Sequence, residues 1–222
     1  NSYRDLNFSF ANEISRIANS FNLSGRKLID KANFGYNRNN ISKPSLGTGG
    51  FCLPKDPILF HKLINKKIGY KLGKISRKVQ DESFKFYCSK ILHIIKRINK
   101  KNYRILICGA AFKGFPETID IRNSPSIMLN KYLKSNGVNC NFIDVLQDRF
   151  TKSNPEIKFV KKKINLLNFD GIILPNNHQF YQKFISDNLK LNKTNHTKFI
   201  FDVWGLLDEN YIKNFNWKYH TI

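Results

Sequence analysis

Tyr103-Arg104-Ile105-Leu106-Ile107-Cys108-Gly109 reads as a short buried strand that stops at a glycine, and it decides the fold of the C-terminal half. Downstream, Ser124-Pro125 suits the N-cap and first turn of a helix reaching Asn136, with Gly137 placed to end it. Residues 138–143 then alternate as a second strand that finishes at Asp144. Strand, loop, helix, strand in this order is the unit of a doubly wound parallel sheet. Residues 170–174 and 198–201 supply two more apolar strands, separated by a helix-like stretch over 180–191. Upstream, Lys100-Lys101-Asn102 is a polar break that reads as a domain boundary, dividing the chain into 1–100 and 101–222.

The turn after the first strand, Gly109-Ala110-Ala111-Phe112-Lys113-Gly114, lies where a dinucleotide fingerprint would lie, and Asp144 ends the next strand. The middle glycine, which lets a pyrophosphate approach the backbone, is alanine here. As an NAD site the turn is a poor match.

The N-terminal half carries a helical period instead. Leu6, Phe10, Ile14, Ile17 and Phe21 recur at three- and four-residue steps, marking an amphipathic helix whose stripe serves core and interface packing, followed by a short helix to about residue 32. Residues 33–50 form a loop, and a long helix is expected over 76–99, with Val79, Phe84, Ile91, Ile94, Ile95 and Ile98 on its apolar face. Between them stands Gly47-Thr48-Gly49-Gly50-Phe51-Cys52-Leu53-Pro54-Lys55-Asp56-Pro57. Glycines admit a close-lying ligand, Asp56 and Pro57 fit the N-cap and first position of a helix running to about residue 68, and a helix N-terminus favours a thiolate. Cys52 is thus either a nucleophile or a buried free thiol beside a capped helix.

Lys and Arg number 38 against 16 Asp and Glu in 222 residues, a formal charge of +22. Such an excess suits a polyanionic partner, but the lysines are dispersed, and neither zinc-finger spacing nor an RNA-binding aromatic signature accompanies them. Nucleic acid is therefore not the expected partner. No apolar run approaches a membrane span and the first residues do not read as a secretion signal, which points to a cytoplasmic protein. Cys52, Cys88, Cys108 and Cys140 are far apart, so disulfides and metal sites are not expected; the last three fall in helix-like or strand-like runs and read as core packing.

Three stretches together resemble the UDP-glucose/GDP-mannose dehydrogenase family. The first is Gly49-Gly50-Phe51-Cys52-Leu53-Pro54-Lys55-Asp56, similar to the family's catalytic-cysteine signature. Asn1-Ser2-Tyr3-Arg4-Asp5 with Ala11-Asn12-Glu13 resembles the start of its central domain. The third, Ala111-Phe112-Lys113-Gly114 with Pro116-Glu117-Thr118, Asp120, Arg122, Ser124 and Pro125, resembles the opening of its C-terminal domain. The resemblance implies an α/β protein: an all-helical central dimerisation domain, then a Rossmann-like parallel-sheet domain that binds the UDP of a sugar nucleotide. It implies oxidation of a C6 alcohol to a carboxylate by two hydride transfers to NAD, through a thiohemiacetal and a thioester on Cys52.

By the same resemblance Asp56 and Asn1 join Cys52 in catalysis, and Phe112, Lys113, Arg38, Lys43 and Gly49 meet the substrate. Lys55 and Arg122 face the NAD side, Arg122 having a salt bridge to Glu117 or Asp120 as its plain alternative. The family binds NAD in a separate N-terminal Rossmann domain and carries a catalytic lysine four residues before the position of Asn1. The chain is accordingly expected to be the C-terminal two thirds of an enzyme, inactive alone, a homodimer through its helical domain, and closer to the branch acting on UDP-N-acetylhexosamines. Its departures from the family are Ile119 at a commonly acidic position, Asp202-Val203-Trp204-Gly205 where many relatives carry arginine, and His178 in Asn176-Asn177-His178, expected as a loop hydrogen-bonder. A non-catalytic nucleotide-sugar-binding module and a basic nucleic-acid binder are the alternatives from other classes.

Overall fold

The computed structural model describes residues 1–38, 40–63, 71–150, 157–194 and 196–222. They fall into two compact units, 1–87 with Ile222, and Cys88–Thr221. Among the described residues no helix is long and apolar enough to cross a membrane.

The first unit is helical: α1 (Ser2–Ser20), α2 (Gly25–Asn33), α3 (Cys52–Leu63) and the first part of α4 (Lys71–Lys96). α1 turns a polar face inward, with only Leu6 and Ile14 of its apolar stripe half-buried. Phe10, Ile17 and Phe21 are 50%, 52% and 70% exposed, whereas Asp5, Ser9, Ala11, Asn12, Ser15 and Ala18 are buried. Small polar side chains let two helices approach closely provided every buried group finds a partner, since one left unmade costs roughly 1–3 kcal/mol. The α1 side chains find partners on α4: Ser9 Oγ donates to the Ser76 carbonyl (3.0 Å), Asn12 Nδ2 donates to Gln80 Oε1 (2.9 Å), and the Ser15 and Tyr87 hydroxyls share a hydrogen bond. Gln80 Nε2 and Ser83 Oγ of α4, by contrast, are buried without a partner among the described residues.

α3 begins at Cys52, five residues before the expected start, so Asp56 is not its cap and Pro57 lies inside it. The physical reason is that the first helical N–H groups have no intrahelical acceptor, which lets Pro54 sit in the first turn without loss. Gly50, at φ +84°, turns the chain into the helix. Pro57 then leaves the Leu53 carbonyl without its i+4 donor, a local weakness the sequence tolerates. The expected end of this helix, near residue 68, lies outside the described residues.

The second unit is built on a five-stranded, all-parallel sheet of order β2-β1-β3-β4-β5: β1 (Ile105–Cys108), β2 (Cys140–Ile143), β3 (Gly171–Leu174), β4 (Lys198–Asp202) and β5 (Trp217–Thr221). Every residue of β1, β3 and β4 is buried, as a sheet covered on both faces requires. One face packs Leu106, Cys108, Ile172, Leu174 and Ile200 against Tyr181, Phe184 and Ile185 of α7 (Phe180–Asn188), each side chain contributing about 1.5–3 kcal/mol. α5 (Pro125–Ser135) joins β1 to β2 and ends as expected: Gly137, at φ +80°, donates to the Lys134 carbonyl while Val138 N donates to that of Leu133. Cys88, Cys108 and Cys140 are core residues, and burial raises each thiol, Cys88 and Cys140 to about 12. The short helices α6 (Gln147–Phe150) and α8 (Glu209–Asn214), and β5 itself, were not anticipated.

Candidate active site

In the first unit, the early start of α3 puts Cys52 and Asp56 four residues apart on one helix, and therefore on one face. Cys52 is exposed, unlike the other three cysteines. Asp56 is held from both sides: Lys55 Nζ pairs with its Oδ1, and Asn1 Nδ2 donates to its Oδ2 at 2.6 Å. The Lys55 ammonium first, and then the Asn1 amide, keep the Asp56 carboxyl below the usual carboxylate range, so it stands ready as an acceptor at neutral pH. Lys55 Nζ also lies 4.7 Å from the centre of the Phe51 ring. The structure thus brings Cys52, Lys55, Asp56 and Asn1 together. Gly49 is buried in the loop just before, while Arg38 and Lys43 are exposed on the preceding loop.

The approach to Cys52 is fastened at two points. Ser45 N donates to Asn12 Oδ1 (2.7 Å). Three residues on, Thr48 Oγ1 donates to Asp5 Oδ1 (3.1 Å) and accepts from Arg77 Nη1 (2.8 Å). Asp5 is fully buried and takes two more hydrogen bonds, from Arg77 Nη1 (2.7 Å) and Ser76 Oγ (2.8 Å). Reading the sequence did not single out this set for a role, but a signal existed. Asp5, Ser9, Asn12 and Ser15 recur at three- and four-residue steps, a polar stripe as regular as the apolar one.

In the second unit the turn after β1 is closed. A Cβ on Gly109, itself at φ +97°, would lie 2.3 Å from Asn176 Cβ, and one on Gly114 would lie 2.3 Å from the backbone N of His178. Asn176 donates to the Ala111 carbonyl (3.1 Å), and Gly114 N donates to Asn177 Oδ1 (2.8 Å). Asp144 turns inward to accept from Ala110 N (2.7 Å) and Leu146 N (2.8 Å) instead of facing a ribose. His178 bridges to Glu117 (2.7 Å) and accepts from Phe180 N, a loop hydrogen-bonder as expected. Beside the turn lies a small, open hollow lined by Lys113, Gly114, Glu117, Asp144 and His178. The glycines serve the protein's own loop, and the turn does not fit NAD.

Phe112 and Lys113 are half-buried beside it, the Lys113 ammonium 5.4 Å from the Phe112 ring centre. Arg122 lies on Asp120, its Nε and Nη2 both donating to the carboxylate, which it holds below the usual range. Of its two sequence-level partners, Asp120 is the one it pairs with.

The family models of the UDP-glucose/GDP-mannose dehydrogenases match in register with these two halves, the central domain over residues 1–81 and the UDP binding domain over 106–209. The chain belongs to this family. A UDP-N-acetyl-D-mannosamine dehydrogenase of Methanococcus vannielii is 26% identical over 219 residues, which is 98% of this chain and 49% of that protein. One from Campylobacter jejuni is 37% identical over 128 residues, 57% of this chain and 30% of that protein. The solved UDP-D-ManNAc dehydrogenase from Pyrococcus horikoshii shares the fold over the whole chain at a TM-score of 0.75 and 24% identity, with 49% of that chain covered. The chain thus spans about half the length of the longest-matching relatives.

Proposed function

We propose that this dehydrogenase-family chain carries the cysteine chemistry of an oxidoreductase that converts the C6 alcohol of a UDP-N-acetylhexosamine to a uronic acid. The observation that supports it most is the exposed Cys52 thiol one helical turn from Asp56, with Asn1 and Lys55 on that carboxylate. Relatives named for UDP-N-acetyl-D-mannosamine support the sugar class. NAD, the acceptor the family implies, would take the two hydrides, and Lys55 and Arg122 are the residues of this chain that would meet it.

The work of this chain's own residues follows from the site. The Cys52 thiolate adds to the C6 aldehyde, forming a C–S bond while the carbonyl oxygen takes a proton; loss of hydride from that carbon to the acceptor, together with release of the hydroxyl proton, leaves a thioester. Water then attacks the thioester carbonyl, the C–S bond breaks, and the thiolate is regenerated. Asp56 accepts the proton of the attacking water, and the second N–H of Asn1, beyond the one spent on Asp56, serves the oxyanion. Lys55 tunes Asp56. Phe112, Lys113, Arg38, Lys43 and Gly49 receive the nucleotide sugar. The functional division of the chain falls at Lys100-Lys101-Asn102, and the exposed apolar face of α1 pairs two chains into a homodimer.

The test is Cys52→Ser in an enzyme carrying this chain. The aldehyde should form while uronate production falls by about 10²-fold or more, because serine is a far weaker nucleophile at neutral pH. Uronate at the rate of the parent enzyme would refute the assignment.

A further inference from the structure

Residues 47–50 include three glycines and no apolar side chain, so the segment leading to Cys52 has little of its own to hold it in one conformation. Its position is imposed from outside. Thr48 supplies the one side chain between Gly47 and Gly50, and its hydroxyl passes a hydrogen bond along, from Arg77 Nη1 (2.8 Å) to Thr48 Oγ1 and on to Asp5 Oδ1 (3.1 Å). Asp5 reaches the other side of the site as well. Its backbone N–H donates to the Asn1 carbonyl (2.9 Å), and Asn1 carries the amide that meets Asp56. Asp5 therefore lies one helical turn from Asn1 through an ordinary backbone bond of α1, while its carboxylate holds the loop before Cys52.

A buried ion pair is a poor way to gain stability, because apolar residues of similar volume usually do as well or better. α1 has such residues, Phe10 and Ile17 among them, and presents them outward. What a charged cluster adds is direction: the Asp5 carboxylate accepts from Thr48, Ser76 and Arg77 at fixed positions.

We infer that Asp5, Arg77 and Thr48 are positioning residues that set Cys52 against Asn1 and Asp56. The inference rests on the reading of Cys52 as the nucleophile. Asp5 variants would leave Arg77 stranded, so the test uses Thr48, where valine removes the hydroxyl relay but keeps the shape, and serine keeps the relay.

Hydrogen exchange on the 222-residue chain should show the amides of residues 47–52 exchanging about fivefold or more faster in Thr48→Val, with β1 and β4 within about twofold of the parent and Thr48→Ser restoring protection. In an enzyme carrying the chain, Thr48→Val should lower kcat about tenfold with KM within about twofold, and Thr48→Ser should recover it. Parent-like exchange or kcat in Thr48→Val, or a Thr48→Ser variant no better than valine, would overturn the inference. Should Cys52→Ser retain full uronate production, the nucleophile reading falls by itself, and the exchange experiment still decides whether Thr48 anchors the loop.

Discussion

Asp56 changes meaning between sequence and structure. As a cap it would satisfy backbone N–H groups, and its replacement by alanine would cost about 1 kcal/mol. Four residues into α3 it instead holds Asn1 and Lys55, contacts on the surface that contribute little to stability. Asp56→Ala should therefore leave the urea midpoint close to the parent's, while lowering uronate formation by about 10²-fold or more. A loss near the capping value would restore the sequence-level role. Its carboxyl is depressed in the folded chain, so the favourable contribution is present above the unfolded value near 3.9 and is lost as pH falls through the lower folded one. Asp5 sits at the opposite extreme. Fully buried against Arg77, Ser76 and Thr48, it should cost about 3 kcal/mol when changed to alanine, read by the same melts, because a part-buried guanidinium and two hydroxyls lose their common acceptor.

At the scale of elements, β1, β3, β4 and α5 were legible because each carries an uninterrupted local signal: a run of consecutive apolar residues, or a Ser-Pro start with a glycine stop. β5 was not, because Lys218 and His220 interrupt its apolar residues, and α8, at six residues, is too short to show a period. The orientation of α1 was illegible for a different reason. A stripe tells that two faces differ, and only the partner helix decides which one turns inward; α4 offers Ser76, Gln80 and Tyr87, so the polar face won. The turn after β1 makes a sharper prediction. Gly109→Ala combines a left-handed backbone with a Cβ against Asn176 and should cost about 2 kcal/mol or more in urea melts. β5 adds a pH dependence, since burial, followed by the charges of Lys90 and Lys218, lowers His220 to about 4. The unfolded chain takes up that proton first, so stability should fall as pH drops from about 6.5 towards 4, by about 1–2 kcal/mol after solvent screening. His220→Gln should flatten that slope in melts taken across the range.

For the whole molecule, the candidate site was legible where chemistry is local and hidden where it depends on packing. Cys52 and Asp56 stand out in a short motif, yet the helix start that places them on one face, and the Asp5 and Arg77 pair behind the loop, depend on residues up to 72 positions apart. The exposed Tyr3, Phe10 and Ile17, spaced by sevens on α1, carry the homodimer proposal. Ile17→Asp should halve the mass seen in sedimentation while leaving the fold intact, and an unchanged mass would remove α1 from the interface. The central claim is that Cys52 meets a nucleotide sugar. Iodoacetamide should label Cys52 selectively in the 222-residue chain, because Cys88, Cys108 and Cys140 are buried. Followed by mass spectrometry, that labelling should slow by about fivefold or more in saturating UDP-N-acetylhexosamine, and a rate indifferent to the sugar nucleotide would contradict the account.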